Sequence, residues 1–148
     1  MVLLLSALSF AGELDDNAKG EIETFFKTYM ETFVSKDVEA AVNLFAQDAV
    51  LMGSGPGERW VGQEEITAAH RGFYSVFDTE ESTYTWGELK GGNDVAWLAA
   101  MFFVTDYWKN EKNEYALNLS GTIVKEENNW KFSILHFSNL TGCEQRGE

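Results

Sequence analysis

The residues best suited to proton transfer are one histidine and three tyrosines in the C-terminal half of the chain. His136 lies in an alternating apolar stretch, and Tyr84, Tyr107 and Tyr115 lie in similar stretches. A neutral imidazole exchanges a proton near pH 7, and phenolic hydroxyls can donate hydrogen bonds to an oxyanion. We therefore take His136 as the candidate catalytic residue. The alternative is a histidine that is hydrogen-bonded in the core or at a subunit contact.

A second histidine lies in a predicted helix. His70 shares a stripe with Ile66 and Phe73, where it would face a pocket across from Trp60 and Tyr74. The alternative here is a core histidine with its hydrogen bonds satisfied, and aromatic stripes often serve only as core. The predicted ligand-binding residues are Trp60, His70, Tyr74, Tyr84, Trp86, Trp97, Met101, Phe103, Tyr107, Leu119 and Ser138.

Composition argues against several other classes of site. The two histidines are far apart and Cys143 is the one cysteine, so no metal-ligand spacing exists and neither a metal nor a cofactor is expected. The formal net charge of −13 repels phosphate backbones and anionic lipids. Nucleic acid and membrane surfaces are therefore not expected as partners.

A glycine-rich stretch, Gly53-Ser-Gly-Pro-Gly57, could suggest a phosphate-binding loop. Glu58 and Arg59 follow it where such a loop needs Lys and Ser or Thr, and Glu58 stands where a dinucleotide fingerprint needs glycine. The stretch therefore predicts a tight reversal between two short strands, Ala49–Gly53 and Arg59–Val61.

Hydrophobic periodicity predicts three helices before the sheet. The first has a stripe with helical spacing formed by Ile22, Phe25, Phe26, Tyr29 and Phe33. Asp37 is a suitable N-cap for a second helix that buries Val38, Ala41, Val42 and Phe45 and ends at Gln47–Asp48. Gly62 begins the third, whose stripe is Ile66, His70, Phe73 and Phe77.

In the rest of the chain, residues of two kinds alternate along each segment with the period of two that is typical of β-strands. The predicted strands are Ser82–Leu89, Val95–Trp108, Tyr115–Lys125 and Trp130–Ser138, with Gly91-Gly92 as a two-residue turn between the first two. With simple registers at the other turns, the inner face under the helices includes Tyr84, Trp86, Trp97, Met101, Phe103, Tyr107, Tyr115, Leu119, Ile134, His136 and Ser138. The outer face then includes Ala96, Leu98, Ala100, Phe102, Val104, Leu135 and Phe137 together with the polar residues Asp106, Asn118, Ser120, Thr122, Lys131 and Ser133. It is mixed in character, and we expect it to contact a second copy of the chain.

Two segments carry a resemblance to a known family. "DVEAAVNLFAQDAVLMGSGPGERWVGQEEI" and "NNWKFSILHFS" resemble the SnoaL-like members of the nuclear transport factor 2-like superfamily in the order of helix, strand, Gly-rich turn, Trp and terminal His-x-Ser strand. The resemblance covers about residues 17–140. It implies a cystatin-like α+β fold, in which three N-terminal helices pack in the concave face of a curved, mainly antiparallel sheet that forms a cone with a pocket.

The domain organisation follows from this resemblance. Residues 1–14 are either an export signal, which would make the protein periplasmic or secreted, or an extra N-terminal segment; residues 15–141 form a single SnoaL-like domain, and residues 142–148 a polar tail. Three functions fit. The first is a small-molecule-binding domain whose aromatic pocket takes a small apolar or carbonyl-containing molecule, as the aromatic inner face and the resemblance imply. We expect this domain to be a homodimer. The second is a polyketide cyclase or ketosteroid isomerase-like enzyme that uses His136. The third is a non-catalytic oligomerisation module.

Overall fold

The computed structural model describes residues 13–76 and 78–139, except for the side chains of Thr79 and Glu80. The export-signal prediction covers residues 1–14, of which residues 1–12 lie outside the described residues, as do Phe77 and the predicted tail, residues 142–148. The elements are α1 (Asp16–Ser35), α2 (Val38–Val42), β1 (Phe45–Met52), β2 (Arg59–Val61), α3 (Gly62–Ser75), β3 (Thr79–Gly91), β4 (Val95–Trp108), β5 (Glu111–Glu126) and β6 (Asn129–Asn139).

The six strands form one curved sheet in the order β2-β1-β6-β5-β4-β3. Strand β1 runs parallel to β6, and the other neighbouring strands are antiparallel. The predicted α+β class and the C-terminal meander are thus confirmed, and β1 and β2 extend the sheet beyond β6. None of the helices in the described parts of the chain is long and apolar enough to cross a membrane.

Helix α1 supplies much of the cover over the inner face of the sheet. The carboxylate of Asp15 caps its first turn by accepting a hydrogen bond of 2.8 Å from the amide of Ala18. The helix ends where Lys36 adopts a left-handed conformation with φ of 56°. Its predicted stripe is buried at Ile22, Phe25 and Tyr29, which join the main hydrophobic core.

Helix α2 is shorter than predicted. It begins after Asp37 as expected but ends at Val42, so the prediction that it continues through Phe45 to Gln47–Asp48 is wrong. Phe45 instead opens β1, where it pairs in register with Phe132. Apolar periodicity could not separate the two possibilities here, because Phe45 and Ala46 are apolar and buried and would suit either a continued helix or the start of a strand.

The glycine-rich stretch forms the predicted tight reversal between β1 and β2. The amide of Gly53 donates to the carbonyl of Glu58, and the Glu58 carboxylate accepts a 2.7 Å hydrogen bond from the amide of Gly55. Gly57 supplies the left-handed conformation, with φ of 83°. An acidic side chain thus occupies the backbone amide that a phosphate loop would present to its ligand.

The connections between the meander strands set which side chains face the helices. Lys109-Asn110 and Glu127-Asn128 are two-residue turns in which every residue has a positive φ. The first turn pairs Trp108 with Glu111, which places even-numbered β4 residues on the same face as odd-numbered β5 residues. The β3–β4 connection is longer than the predicted Gly91-Gly92 turn, because Gly91 pairs with Ala96.

Two register shifts then change the alternation within strands. On β6, Ile123 pairs with Phe132 while Thr122 pairs with Ile134, so Ser133 is an extra residue and the faces exchange after it. On β3, Tyr84 pairs with Phe102 while Trp86 pairs with Met101, which makes Thr85 the extra residue.

The predicted assignment of faces is therefore wrong for β4, for Trp86 on β3 and for the second half of β6. Ala96, Leu98, Ala100, Phe102, Val104 and Leu135 are buried under the helices, where a mixed outer face was expected. The opposite, outer face carries Trp86, Trp97, Met101, Phe103, Ile134 and His136, all expected inside. The assignment holds for β5, where Leu119 and Ile123 are buried in the core.

Candidate functional site

A groove lies between α1 and the β3–β4 hairpin on the inner face of the sheet. It has a volume of about 550 Å³ and is partly open to solvent. Its floor and walls come from Ile22, Phe26 and Met30 on α1 and from Leu98, Ala100 and Phe102 on β4. Space of this size with mainly apolar walls is typical of a site for a small organic molecule.

Helix and sheet each position part of this groove. Phe26 and Met30 are partly buried and pack against both hydrophobic clusters of the protein, one centred on Tyr29 and Phe132 and the other formed by Ala100, Phe102 and Val104. The apolar stripe of α1 is therefore wide. Phe25 and Tyr29 on one side of it pack into the main core, and Phe26 and Met30 on the other side line the groove. Leu98, Ala100 and Phe102 reach the floor because they alternate on the inner face of β4.

Three aromatic rings line the groove in series. The ring centroids of Phe26 and Phe102 are 5.8 Å apart, and those of Phe102 and Tyr84 are 5.7 Å apart in an edge-on arrangement. Tyr84 is 59% exposed, so its ring forms part of an accessible wall. A Cβ atom built on Gly87 would lie 2.6 Å from the Tyr84 hydroxyl, which shows that the hydroxyl lies over this glycine.

The polar groups near the groove are few. Glu23 and Lys27 lie on its helical side and Ser82 on its sheet side. Lys27 is 3.8 Å from Glu31 in an exposed ion pair, a kind of contact that contributes little to stability. Glu88 also borders the groove, but it pairs with Ala99 on the outer alternation and is 3.7 Å from Lys90.

His70 does not line this groove. It lies on α3 and is fully buried where that helix faces α1. Its Nδ1 is 2.9 Å from the carbonyl oxygen of Ile66, and its Nε2 is 3.1 Å from the Tyr29 hydroxyl. A carbonyl can only accept, so Nδ1 carries the proton and, in the neutral ring, the Tyr29 hydroxyl donates to Nε2. Burial lowers the pKa of His70 below its ordinary value, opposed in part by the hydrogen bond to Ile66.

Tyr74 belongs to an adjacent buried pair. The Thr32 hydroxyl donates to the carbonyl oxygen of Tyr29 at 2.6 Å, and the Tyr74 hydroxyl is 2.7 Å from the same Thr32 oxygen. Because the Thr32 proton is already used, Tyr74 donates to Thr32. The two pairs tie α1 to α3 within the aromatic core. They match the alternative interpretation of His70, a core histidine with both ring nitrogens hydrogen-bonded.

The structure separates the predicted pocket residues into three groups. Tyr84 lines the groove. Trp60, His70, Tyr74 and Leu119 pack in or against the core, with the Trp60 and Phe73 ring centroids 5.4 Å apart. Trp86, Trp97, Met101, Phe103, Tyr107 and Ser138 lie on the outer face or its alternation, together with the candidate catalytic residue His136.

His136 lines a different, smaller depression on the outer face. This depression has a volume of about 220 Å³ and is bordered by Trp86, Met101, Asn118, Ser120 and Ser138 as well. His136 pairs in register with Ser120 on β5 and with Met52 on β1. The sheet therefore lies between His136 and the groove that holds Tyr84, and the convergence expected of these two residues is absent.

Sequence reasoning missed the groove residues on β4 and the contribution of Met30. Leu98, Ala100 and Phe102 were assigned to the outer face because the loop lengths were taken as simple. A usable signal was present, since Phe26 and Met30 are one helical turn apart beside the Phe25–Tyr29 pair. Among the described residues, no group of three or more His, Cys, Asp or Glu side chains is arranged to hold a metal ion.

Comparisons with known structures agree on the fold. A cystatin-like-fold protein of unknown function from Nostoc punctiforme matches with a TM-score of 0.74 and 18% identity, over 86% of this chain and 95% of that one. A nuclear transport factor 2-like protein from Pseudomonas putida matches with a TM-score of 0.77 and 12% identity, over 90% and 94%. A ketosteroid isomerase-like protein from Erwinia carotovora atroseptica matches with a TM-score of 0.73 and 18% identity, over 86% and 100%. These identities establish a shared fold alone.

Sequence comparison identifies the family. No curated protein matches the sequence significantly. The model of the SnoaL-like domain matches residues 22–142, which is most of the chain. With the cystatin-like, nuclear transport factor 2-like architecture of its structural neighbours, the chain belongs to the SnoaL-like domain family.

Proposed function

We propose that this SnoaL-like domain binds a small, largely apolar molecule in the groove between α1 and the β3–β4 hairpin. The observation that supports this is a space of about 550 Å³ whose lining includes Phe26, Met30, Leu98 and Phe102. Burying apolar ligand surface there contributes about 25 cal/mol for each Å² removed from water. Of the ligand-binding residues predicted from the sequence, this groove includes only Tyr84.

Filling the groove tests this proposal. Met30→Trp enlarges a partly buried side chain on the helical wall, and Ser82→Phe fills the space from the exposed strand side. We expect each variant to weaken the binding of naphthalene-sized ring compounds, measured by equilibrium dialysis, by about tenfold or more, which corresponds to about 1.4 kcal/mol. Met101→Trp is the matched control, because Met101 lies on the outer face. If only Met101→Trp lost binding, the binding site would lie on the outer face of the sheet and the proposal would be wrong.

The enzymatic alternative has less support from the geometry. Proton transfer by His136 to a ligand held by Tyr84 needs both groups at one cavity, and they lie on opposite faces of the sheet. The similarity to a ketosteroid isomerase-like protein at 18% identity carries the fold and no residue role. Binding without chemistry is therefore our first proposal.

A second proposal concerns the outer face, which we expect to pair with a second copy of the chain. Met52, Trp86, Trp97, Met101, Phe103 and Ile134 are each between 42% and 48% exposed there. The outer-face positions of Trp97–Phe103, Ala116–Thr122 and Ile134–Ser138 include no Asp, Glu, Lys or Arg, although 24% of the chain is charged. Glu88 and Lys90 border this face from β3, but its centre carries no charge, and an uncharged patch on so acidic a protein is typical of a subunit interface.

A charge placed on that face tests the pairing. We expect the unaltered protein to sediment as a dimer and Phe103→Glu to sediment as a monomer, because an unpaired carboxylate in an apolar interface has a large desolvation cost. Val34→Glu introduces the same charge on α1, where Val34 is 73% exposed, and should leave the dimer intact. A monomeric unaltered protein would contradict the proposal, and an assembly larger than a dimer would favour the oligomerisation-module alternative.

A further inference from the structure

We infer, building on the proposed pairing of outer faces, that Arg59 of one copy forms an ion pair with Glu88 of the second copy. The two copies are then related by a two-fold axis that runs along the strands, and the ion pair forms twice, once at each edge of the sheet. The apolar centre of the face supplies the affinity, and the two ion pairs select one orientation of the copies.

One row of side chains crosses the outer face from one edge of the sheet to the other. Residues that pair directly across neighbouring strands point to the same face. Followed from β2 to β3, the paired residues are Arg59, Met52, His136, Ser120, Ala99 and Glu88. Only the two end members carry a full charge, Arg59 positive and Glu88 negative, and the midpoint of the row lies between β6 and β5.

The charges at the ends of this row distinguish two ways of bringing the outer faces together. A two-fold axis along the strands reverses the strand order, so that β2 faces β3 of the second copy and β6 faces β5. A two-fold axis across the strands keeps the order, so that β2 faces β2 and β3 faces β3. The first orientation brings Arg59 to Glu88, whereas the second gathers both arginines at one edge and both glutamates at the other. Attraction and repulsion between these charges therefore favour the first orientation.

The interior of the row fits the same orientation. Met52, which is 42% exposed, then faces Ala99 of the second copy, so a large side chain meets the smallest one in the row. His136 faces Ser120, whose hydroxyl can both donate and accept a hydrogen bond. Within the part of the chain that the structure describes, the His136 ring has no hydrogen-bond partner, so a contact with Ser120 breaks no existing bond.

Both charged end members are available for a contact between copies. Arg59 is exposed on β2 and makes no hydrogen bond or ion pair with the residues that the structure describes. Glu88 is 3.7 Å from Lys90, but its side chain is 54% exposed and a surface pair of this kind is weak. Facing sheets lie about 10 Å apart, a gap that the long side chains of arginine and glutamate span together.

Charge reversal tests the contact by analytical ultracentrifugation. Arg59→Glu and Glu88→Arg each place like charges together at both edges, and we expect each to raise the dimer dissociation constant about tenfold. The double variant Arg59→Glu/Glu88→Arg restores opposite charges and should return the constant to within about twofold of that of the unaltered protein.

Glu88→Arg is the informative single variant, because it makes the acidic chain less negative. If general repulsion alone governed the dimer, this variant would pair more tightly, whereas the Arg59–Glu88 contact predicts weaker pairing. Glu31→Arg is the matched control: it changes the charge equally on α1, where the Glu31 side chain is 65% exposed, and should not raise the dissociation constant.

Cysteine crosslinking tests the orientation directly. In a Cys143→Ser background, a variant with both Arg59→Cys and Glu88→Cys should form a covalent dimer with a short bis-maleimide linker, and variants with only one of these substitutions should not. Within one chain the two positions are separated by five strand spacings of about 4.8 Å each, which is too far for the linker. A crosslink through Arg59→Cys alone would show that β2 faces β2, the opposite orientation.

The outcomes separate this inference from the pairing on which it rests. A monomeric unaltered protein contradicts the pairing, and the inference falls with it. If the unaltered protein is a dimer but Glu88→Arg pairs as tightly or more tightly, the contact is overturned while pairing through the outer face stands. The same conclusion follows if the double variant pairs no better than the single ones, or if Arg59→Cys crosslinks alone.

Discussion

At the scale of single residues, His70 and His136 show how position decides what a titratable group can do. His70 has both ring nitrogens hydrogen-bonded inside the core, while His136 lies in a shallow depression on the outer face. The helix stripe placed His70 on the face that turns toward the sheet, but it left a pocket and a core position as alternatives, and the structure shows the core position. The placement of His136 depended on one extra residue in β6, which alternation alone does not reveal.

The buried state of His70 gives a pH dependence of stability. Its pKa is lowered in the folded protein, so below about pH 6.5 the unfolded chain takes up a proton that the folded chain does not. The contribution of His70 is therefore complete above that pH and is lost as the pH falls toward the folded pKa. We expect the unfolding free energy to decrease in this window by up to about 1.4 kcal/mol for each pH unit.

Urea unfolding at a series of pH values measures this effect. His70→Leu should be less stable at neutral pH, because it removes one partner of the Tyr29 hydroxyl, and its stability should depend less on pH between about 7 and 5.5. Equal pH dependence in His70→Leu and the unaltered protein would show that His70 does not stay neutral in the fold.

At the scale of elements, turn lengths and bulges determine the two faces of the sheet. The strand β4 was predicted with its exact ends, Val95–Trp108, yet its faces were assigned the wrong way round. Trp97, Met101 and Phe103 are larger than their buried neighbours Ala96, Leu98 and Ala100, so size suggested burial for the wrong set. A two-residue turn at Lys109-Asn110 fixed the opposite choice, because it links even positions of β4 to odd positions of β5.

Gly121 provides a test of the β5–β6 geometry at the bulge. A Cβ atom at this position would lie 2.6 Å from the carbonyl oxygen of Ile134, which is backbone and cannot simply rotate away. Gly121→Ala should therefore lower the free energy of unfolding by about 1–3 kcal/mol in urea titrations. Gly72→Ala is the matched control: nothing lies within 4 Å of its added methyl group on α3, so it should stabilise the protein by about 0.5–1 kcal/mol. Equal effects of the two substitutions would contradict the close approach at the bulge.

At the scale of the whole molecule, an acidic chain carries a sheet face without charges at its centre. Each copy has a formal charge of −13, so the proposed pairing must overcome repulsion between like charges. The repulsion between two copies is weakest at the apolar face, because its centre carries no charge. Burying that face also removes apolar area from water, which stabilises the dimer. The groove opens on the opposite side of the sheet, so pairing leaves it accessible.

This balance predicts a salt dependence for the proposed dimer. Raising the salt concentration from about 20 mM to about 500 mM shortens the screening length from roughly 20 Å to roughly 4 Å. We expect the dimer dissociation constant, measured by analytical ultracentrifugation, to decrease over this range. An interface held together by ion pairs would show the opposite trend, because screening weakens attraction between unlike charges.

The sequence by itself determined the element order, the α+β class and both ends of β2 and β4, because these depend on local periodicity, capping residues such as Asp37 and turn glycines. The family followed from the resemblance of two segments to SnoaL-like proteins, which the match over residues 22–142 confirms. The tertiary structure decided which face of each strand looks inward, and with it the groove between Phe26 and Phe102 and the outer position of His136. The physical reason is that alternation specifies two faces without saying which is which. Only the pairing across turns and bulges, and the helices that cover one side, distinguish them.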